Sequence, residues 1–196
     1  MKKFAAMMVV ALGVGFGSMS VSAQMMNKSM KGGNPMVGGA EMSKKKNIVE
    51  NAMNSKDHTT LVAAVKAAGL VDMLMGKGPF TVFAPTNAAF AMLPAGTVDT
   101  LLMPENKGML TGILTYHVVA GKMNSKAIAK AIKAGNGRAE FTTVAGGKLV
   151  ATMAGTMAGM SVIITDEKGG RATVTIADVY QSNGVIHEVN AVLMPK

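Results

Sequence analysis

The hydrophobic period changes once along the chain, and this change constrains the fold class more than any other feature. Before the Gly135-Asn136-Gly137 cluster, apolar residues recur at helical spacing, as in the run from Leu61 to Ala68. After the cluster the spacing becomes two, and Gly or Asn turns separate five strand-like runs over 141–144, 148–153, 161–165, 171–177 and 185–193. A chain with helices first and strands later is predicted to form an α+β domain, not an alternating α/β fold.

Two short apolar runs within the helical half predict further strands. One spans Phe80 to Ala84 and ends at Pro85, and the other spans Tyr116 to Val119. Turn and cap residues border the neighbouring helices. We expect Gly69 to end one helix, Thr86 to cap a second, and Ser125 to cap a third over 126–133.

The N-terminus has the three parts of a secretory signal peptide. Lys2 and Lys3 precede an apolar run to about Phe16, and small residues end at Val21-Ser22-Ala23. The run is shorter than the roughly 20 apolar residues that a transmembrane helix needs, and no other run is longer. We therefore expect a bacterial type of signal peptide over 1–23, cleavage near Ala23, a periplasmic or secreted protein, and no transmembrane segment in the mature chain.

Residues 24–46 are rich in Gly, Lys and Met and show no periodic apolar pattern, which predicts a flexible linker before a folded domain over 47–196. Thioethers can bind Cu(I), so an alternative function is that of a periplasmic copper-binding or envelope stress protein. The methionines in question are Met25, Met26, Met30, Met36 and Met42.

Composition and motifs exclude several functional classes. The chain has no Cys, which excludes disulfides, zinc–thiolate sites and thiol catalysis. The net charge is +9, but much of the excess lies before residue 47 and aromatic residues make up 4%, so nucleic acid is not an expected partner. His58, His117 and His187 could meet as a metal triad, although they lack close motif spacing. No nucleophile elbow or Walker-type loop is present in the mature chain, so we expect neither catalysis nor a cofactor.

Three segments resemble, in order and spacing, the signature boxes of fasciclin-like domains. The first box is Phe80 to Phe90, the second is Tyr116-His117-Val118-Val119 with Gly121-Lys122, and the third is Asn183 to Asn190, followed by Leu193-Met194-Pro195. The structural motif residues are Phe83, Pro85, Thr86, Phe90, Tyr116, His117, Gly184 and His187. The resemblance implies an α+β domain, a β-wedge of about seven strands with helices packed along it. It also implies a non-catalytic role in cell adhesion or matrix binding, without a cofactor.

The two histidines of the boxes are expected to be structural. Alternation along the last strand places His187 in one row with Val185 and Val189, and His117 lies at a junction between a helix and a strand. A buried imidazole needs hydrogen bonds, and we expect a backbone carbonyl or a Thr hydroxyl as partner. Asn183-Gly184 is interpreted as a turn because both residue types tolerate positive φ.

Candidate binding residues are Asn87 in the first box and, on the face of the last strand opposite His187, Glu188 and Asn190. All three depart from the family pattern, in which Asp is common at the first and third positions and an apolar residue at the second. We expect these side chains to be exposed and to contact a protein or polysaccharide on a cell surface or matrix. Because single domains of this kind bind weakly, self-association would add avidity.

Overall fold

Helices occupy much of the first half of the chain and strands the second, as the change of period predicts. The computed structural model describes residues 34–156 and 159–196. The helices within these ranges are α1 (Ile48–Ala52), α2 (Thr59–Ala68), α3 (Val71–Met75), α4 (Asn87–Ala91), α5 (Thr97–Leu102), α6 (Lys107–Tyr116) and α7 (Ser125–Ala134). The strands are β1 (Met36–Val37), β2 (Ala40–Glu41), β3 (Phe80–Pro85), β4 (Val118–Ala120), β5 (Arg138–Thr142), β6 (Lys148–Thr156), β7 (Gly159–Thr165), β8 (Arg171–Gln181) and β9 (Gly184–Val189).

Seven of these strands form one mixed sheet in the order β4-β3-β9-β8-β7-β6-β5. Strands β3 and β9 run parallel, with Phe83 opposite His187, and the other neighbours are antiparallel. At the two ends of this order, the Val144 amide donates to the Val118 carbonyl at 2.7 Å. The sheet therefore nearly closes on itself. The predicted α+β class and the wedge of seven strands are confirmed.

Local caps explain where the helices begin and end. Thr86 caps α4 as predicted, since its Oγ1 accepts from the Ala89 amide at 3.2 Å. Gly69 ends α2 with φ of 71°, a conformation that suits glycine. The prediction for α7 was wrong, because the Asn124 side chain caps this helix and Ser125 is its first residue.

Two apolar cores lie on either side of β9. The first packs α1 to α6 against the sheet, and the second lies among the strands and α7. Ile186 belongs to the first core and Val189 to the second, because successive side chains of a strand point to opposite faces. Every residue of β9 is therefore buried.

Residues 34–46 differ from the flexible linker that the sequence predicted. Strands β1 and β2 pair as a hairpin, and the Lys56 amide donates to the Gly38 carbonyl at 3.0 Å. Val37 and Met42 are 5% and 2% exposed and belong to the first core. Two anchoring side chains are too few to produce a detectable period, so the sequence could not reveal this hairpin. The folded unit includes residue 34 onward, and the sulfur of Met42 lies in the core.

The predicted signal peptide over 1–23, its cleavage near Ala23 and the methionines Met25, Met26 and Met30 all lie outside the described residues. Within 34–156 and 159–196, none of the helices has the length and apolar character needed to cross a membrane.

Candidate functional site

The three sequence boxes meet around the parallel pair β3–β9. The Phe83 ring stacks on the His187 ring with centroids 5.8 Å apart, and the Phe83 amide donates to the His117 carbonyl at 2.9 Å. Tyr116 is fully buried, and its hydroxyl donates to the Lys148 carbonyl at 2.7 Å. The boxes therefore join α6, β3, β6 and β9 within the interior.

The first box also contributes to packing at the end of β3. Pro85 is buried and lies opposite Val189 in the parallel register. Phe90 of α4 is 6% exposed and belongs to the first core. Together with the Thr86 cap, these contacts direct the chain from the sheet into the helical layer.

His117 and His187 are buried, and both ring nitrogens of each are in hydrogen-bond contact. His117 Nδ1 lies 2.8 Å from the Ile113 carbonyl, and its Nε2 accepts from the Leu193 amide at 3.0 Å. His187 Nε2 lies 2.8 Å from the Met123 carbonyl, and its Nδ1 accepts weakly from the Asp178 amide at 3.4 Å. A neutral imidazole has one donor and one acceptor, which suits both sites.

Burial makes both of these imidazoles hard to protonate. Desolvation lowers the pKa of His117 to about 4, against a smaller raising effect of the Ile113 carbonyl. Desolvation also lowers the pKa of His187, opposed by the Met123 carbonyl and then by the Asp178 carboxylate. Both rings therefore serve as neutral hydrogen-bonding groups of the interior at physiological pH.

The sequence predicted that the turn between β8 and β9 depends on residues with positive φ, and this prediction was wrong. Neither Asn183 nor Gly184 has positive φ. Asn183 is buried, its Oδ1 accepts from the Ile48 amide at 3.1 Å, and its Nδ2 donates to the Leu74 and Gly76 carbonyls at 2.7 and 2.9 Å. A Cβ at Gly184 would lie 2.2 Å from the Phe80 carbonyl oxygen. Asn183 therefore joins α1 and α3 to the sheet, and Gly184 permits the close approach of β3.

Two of the three predicted binding residues are not free surface groups. Glu188 is 7% exposed, and its Oε1 accepts from Thr175 Oγ1 at 2.7 Å. Asn87 is half-buried; its Oδ1 accepts from the Thr60 amide at 3.0 Å and its Nδ2 donates to the Lys56 carbonyl at 2.8 Å. The expectation of exposure is wrong for Glu188, because the helical layer covers this face of β9.

Asn190 is the exposed member of the predicted set. It follows the last residue of β9, and its Oδ1 accepts from the Thr173 amide at 2.8 Å. The structure therefore separates the three residues into one interior acid, one side chain that caps a neighbouring helix, and one surface amide.

A second titratable side chain, that of His58, lies in the helical layer that covers Glu188. The sequence indicated His58 only as one of three histidines that could bind a metal. His58 precedes α2 and is 3% exposed, and its Nδ1 lies 2.9 Å from Ser55 Oγ. Its Nε2 lies 3.8 Å from Glu188 Oε2. Neither of these two atoms has a hydrogen-bond partner among the described residues. One sequence signal was available, since Glu188 is the one acid of a strand whose other side chains, apart from His187, are apolar.

Burial shifts the pKa of each group in the direction that favours its neutral form. Desolvation lowers the pKa of His58, with smaller raising effects from the Asp57 carboxylate and the Ala84 carbonyl. Desolvation raises the pKa of Glu188, while the hydrogen bond from Thr175 opposes the change. A fully ionised pair in this apolar setting would carry a large desolvation cost.

His58 and Glu188 are among the residues that line an apolar cavity between α1, α2, α3 and the sheet. The cavity has about 50 Å³ available to the centres of water-sized groups. Val65, Leu114 and Ile186 are among its apolar lining residues. Across residues 34–156 and 159–196, no three His, Asp or Glu side chains are placed to hold a metal ion, so the three histidines do not form a triad there.

Comparisons with known proteins find the same family that the three boxes resemble. The profile of the Fasciclin domain matches residues 56–195. Protein sll1483 of Synechocystis sp. is 49% identical over 148 residues, which cover 76% of this chain and 73% of that protein. Immunogenic protein MPB70 of Mycobacterium bovis is 37% identical over 153 residues, covering 74% of this chain and 66% of that protein.

The fold is also that of a solved structure, the FAS1 domain pair from the insect cell adhesion molecule Fasciclin I. The TM-score is 0.56 at 24% sequence identity, over 68% of this chain and 43% of that one. The matched span contains all three boxes, whose residues pack the parallel strand pair at the centre of the sheet. The chain therefore belongs to the Fasciclin domain family.

Proposed function

We propose that this protein acts outside the cytoplasm as a non-catalytic adhesion module that binds a protein or polysaccharide of a cell surface or matrix. The observation that carries the proposal is a Fasciclin domain over residues 56–195 behind a sequence with the pattern of an export signal. Proteins of this family typically function in cell adhesion or the extracellular matrix. The related FAS1 domain pair belongs to a cell adhesion molecule.

The internal roles of the box residues support binding through other parts of the surface. Phe83, His117 and His187 are buried and contact one another or the backbone, so a partner cannot reach them without unfolding the domain. Glu188 is also covered. Among the predicted binding residues, Asn190 is the one whose side chain is open to solvent.

Exposed methionines on the helical layer supply a second set of contact candidates. Met92 follows α4 and is 74% exposed, Met103 follows α5 and is 45% exposed, and Met109 of α6 is 61% exposed. Exposed apolar side chains are favourable contact groups, and the flexible thioether adapts to different partners. We propose that these three methionines and Asn190 contribute to the binding surface.

The experiment compares attachment of a deletion strain with that of the same strain carrying either the parent gene or variants. The triple variant Met92→Gln, Met103→Gln, Met109→Gln is expected to lower attachment about tenfold, because three contacts of about 0.5 kcal/mol each sum to roughly one decade. A matched control replaces the exposed Met36, Met153 and Met160 of the strands by Gln. Asn190→Ala is measured beside them.

Retained attachment in the deletion strain on every surface tested would refute the adhesion role. Equal losses in the helical variant and the strand control would refute the assignment of the surface to the helical layer. Thermal melts of each purified variant accompany the assay, since an unfolded variant would lose attachment for a trivial reason.

A further inference from the structure

Helix α7 and the segment before it present a line of basic side chains. Lys126, Lys130 and Lys133 lie at positions i, i+4 and i+7 of the helix, and at about 100° per residue they fall within an arc of about 60°. Lys122 precedes the helix in the chain. All four side chains are exposed. These four residues are called the lysine track below.

The track lies beside strand β8. Lys126 lines a surface groove together with Ala177 of that strand. The Nζ of Lys122 lies 5.2 Å from the centre of the Tyr180 ring, and the Nζ of Lys44 lies 6.0 Å from the same centre. Both distances are within the range of a cation–π contact. Tyr180 therefore brings a further lysine to the end of the track.

The exposed face of α7 is divided along its length. The lysines of the helix occupy the half next to Ala129, which lines the same groove as Lys126. The exposed Ala127 and Ala134 occupy the other half. The positive charge is therefore gathered on the side of β8 and is not spread over the whole exposed face.

The stability of α7 does not account for this arrangement. Lys126 lies in the first turn, where the positive end of the helix dipole repels a cation. Like charges at i and i+4, such as those of Lys126 and Lys130, also destabilise a helix. The helix contains no acidic residue that could offset these effects. A bound anion would relieve both.

Nearby acidic side chains leave the charge of the track in place. In the described part of the chain, none of its four lysines forms an ion pair. The two carboxylate oxygens of Asp178 accept from the amide and the hydroxyl of Ser125, each at 2.6 Å. Glu140, on the strand that follows α7, contacts Arg138 at 2.9 Å and Lys148 at 3.5 Å. The track is therefore open to an anionic partner.

The linear arrangement favours a polymer with repeated acidic groups. At 1.5 Å per residue, Lys126 and Lys133 are about 10 Å apart along the helix axis, so one extended chain can contact several lysines at once. A lysine is a flexible point charge and does not need the planar, bidentate partner that suits arginine. Carboxylate and sulfate groups spaced along a sugar chain meet these conditions.

Other anionic partners fit the surface less well. Helices that bind membranes insert large apolar side chains between lipids, whereas Ala127 and Ala134 are small. Single-stranded nucleic acid needs exposed aromatic rings on which bases stack, and the Tyr180 ring is half-buried. The chemistry of the track therefore favours a polysaccharide.

We propose that the lysine track binds an acidic polysaccharide of a cell surface or matrix, whose carboxylate or sulfate groups pair with the four lysines. This inference rests on the proposed adhesion role, because it names the class of partner. It adds a second contact surface to that of the exposed methionines. Helix α7 packs in the second core, whereas Met92, Met103 and Met109 lie on the helical layer of the first.

The test measures binding of the full-length chain to polygalacturonate, dextran sulfate and neutral dextran at about 0.15 M salt. The two polyanions separate carboxylate from sulfate recognition, and at least one of them should bind, whereas dextran should not. The triple variant Lys126→Gln, Lys130→Gln, Lys133→Gln should lower the affinity about thirtyfold, at about threefold for each lysine. A matched control with the same change of charge replaces three exposed lysines of the helical layer, Lys56→Gln, Lys66→Gln and Lys107→Gln, and should lower it less than about threefold.

Three results would overturn the proposal: binding to neither polyanion, equal losses in the track variant and the matched control, or tighter binding to polyglutamate or to vesicles of anionic phospholipid than to both polysaccharides. Amide shifts of the ¹⁵N-labelled unmodified chain with a short galacturonate oligomer should map to α7. This mapping remains decisive if the triple variant fails to fold, and shifts confined to other elements would also overturn the site.

The strain assay separates this site from the adhesion role. Normal attachment of the deletion strain, together with polyanion binding by the purified chain, would refute the role and leave the site. Lost attachment without polyanion binding would leave the role and refute the site.

Discussion

The two faces of strand β9 carry adjacent polar residues in opposite states. His187 points into the second core, where it stacks on Phe83 and contacts the Met123 carbonyl at 2.8 Å. Glu188 points into the helical side, where its Oε2 faces His58 without a hydrogen bond. Both side chains are at least nine-tenths buried. Burial is therefore equal on the two faces, and hydrogen bonding is what differs.

This difference separates structural polar groups from candidate functional ones better than burial or sequence motifs do. A buried polar group that has hydrogen-bond partners stabilises the core. A buried polar group without partners costs free energy that a bound group can recover. His187 lies in a family box and has a structural role, while His58 lies outside the boxes and belongs to the incomplete pair. The motif histidines are therefore structural, and the unsatisfied pair involves a histidine outside the boxes.

The largest predicted change in the free energy of unfolding is the one produced by acid. We assign this change to the buried histidines. In the unfolded chain His117 takes up a proton near its ordinary pKa of 6.5, but in the folded chain only near a pKa of about 4. The free energy of unfolding should therefore fall as pH falls from about 6.5 to 4, with His117 alone contributing about 3 kcal/mol. The raised pKa of Glu188 acts in the opposite sense, because its contribution to stability is lost as pH rises.

Urea unfolding of the parent chain and of His117→Gln, at several pH values between 7.5 and 4, checks this assignment. Gln can donate to Ile113 and accept from Leu193, but it does not titrate. A pH dependence that is as steep in the variant as in the parent would show that His117 is not the source.

The second prediction concerns the two neighbours on β9. His187→Ala should lower the free energy of unfolding by about 3 kcal/mol, since it removes the stacking on Phe83 and leaves the Met123 carbonyl without a partner. Glu188→Gln keeps the volume and an acceptor for Thr175, so it should change stability by less than about 1 kcal/mol. Denaturant melts at pH 7 measure both. Equal losses would mean that the two faces of β9 are bonded alike.

The sequence predicted those parts of the fold that depend on local patterns. The change of period indicated the α+β class, and Thr86 and Gly69 act at the helix ends as single-residue rules require. The parallel register of Phe83 with His187 joins strands about a hundred residues apart along the chain, and the hydrophobic period contains no information on such a pairing. Its place in the fold came from the resemblance of the boxes to a family.

The candidate site was largely hidden because its residues carry no shared motif. Alternation placed Glu188 correctly on the face opposite His187, but it could not show that the helical layer covers this face. His58 precedes a helix, a position where polar side chains are ordinarily exposed. The meeting of the two depends on how α2 packs on the sheet, which is a tertiary property.

The smallest predicted effect concerns Asn87, at the solvent side of the same helical layer. Its Oδ1 accepts from the Thr60 amide in the first turn of α2, and its Nδ2 donates to the Lys56 carbonyl. Asn87→Ala removes both bonds from a half-buried position and should cost about 1 kcal/mol. Asn87→Asp keeps the acceptor and places negative charge at the positive end of α2, which offsets the lost donor, so we expect stability within about 0.5 kcal/mol of the parent. Thermal melts of the two variants decide between structure and binding at this position. If Asn87→Ala has the same melting midpoint as the parent, the Asn87 side chain does not stabilise the fold and returns to the candidates for contact with a partner. If Asn87→Ala lowers the midpoint and Asn87→Asp does not, Asn87 caps α2 from a neighbouring element.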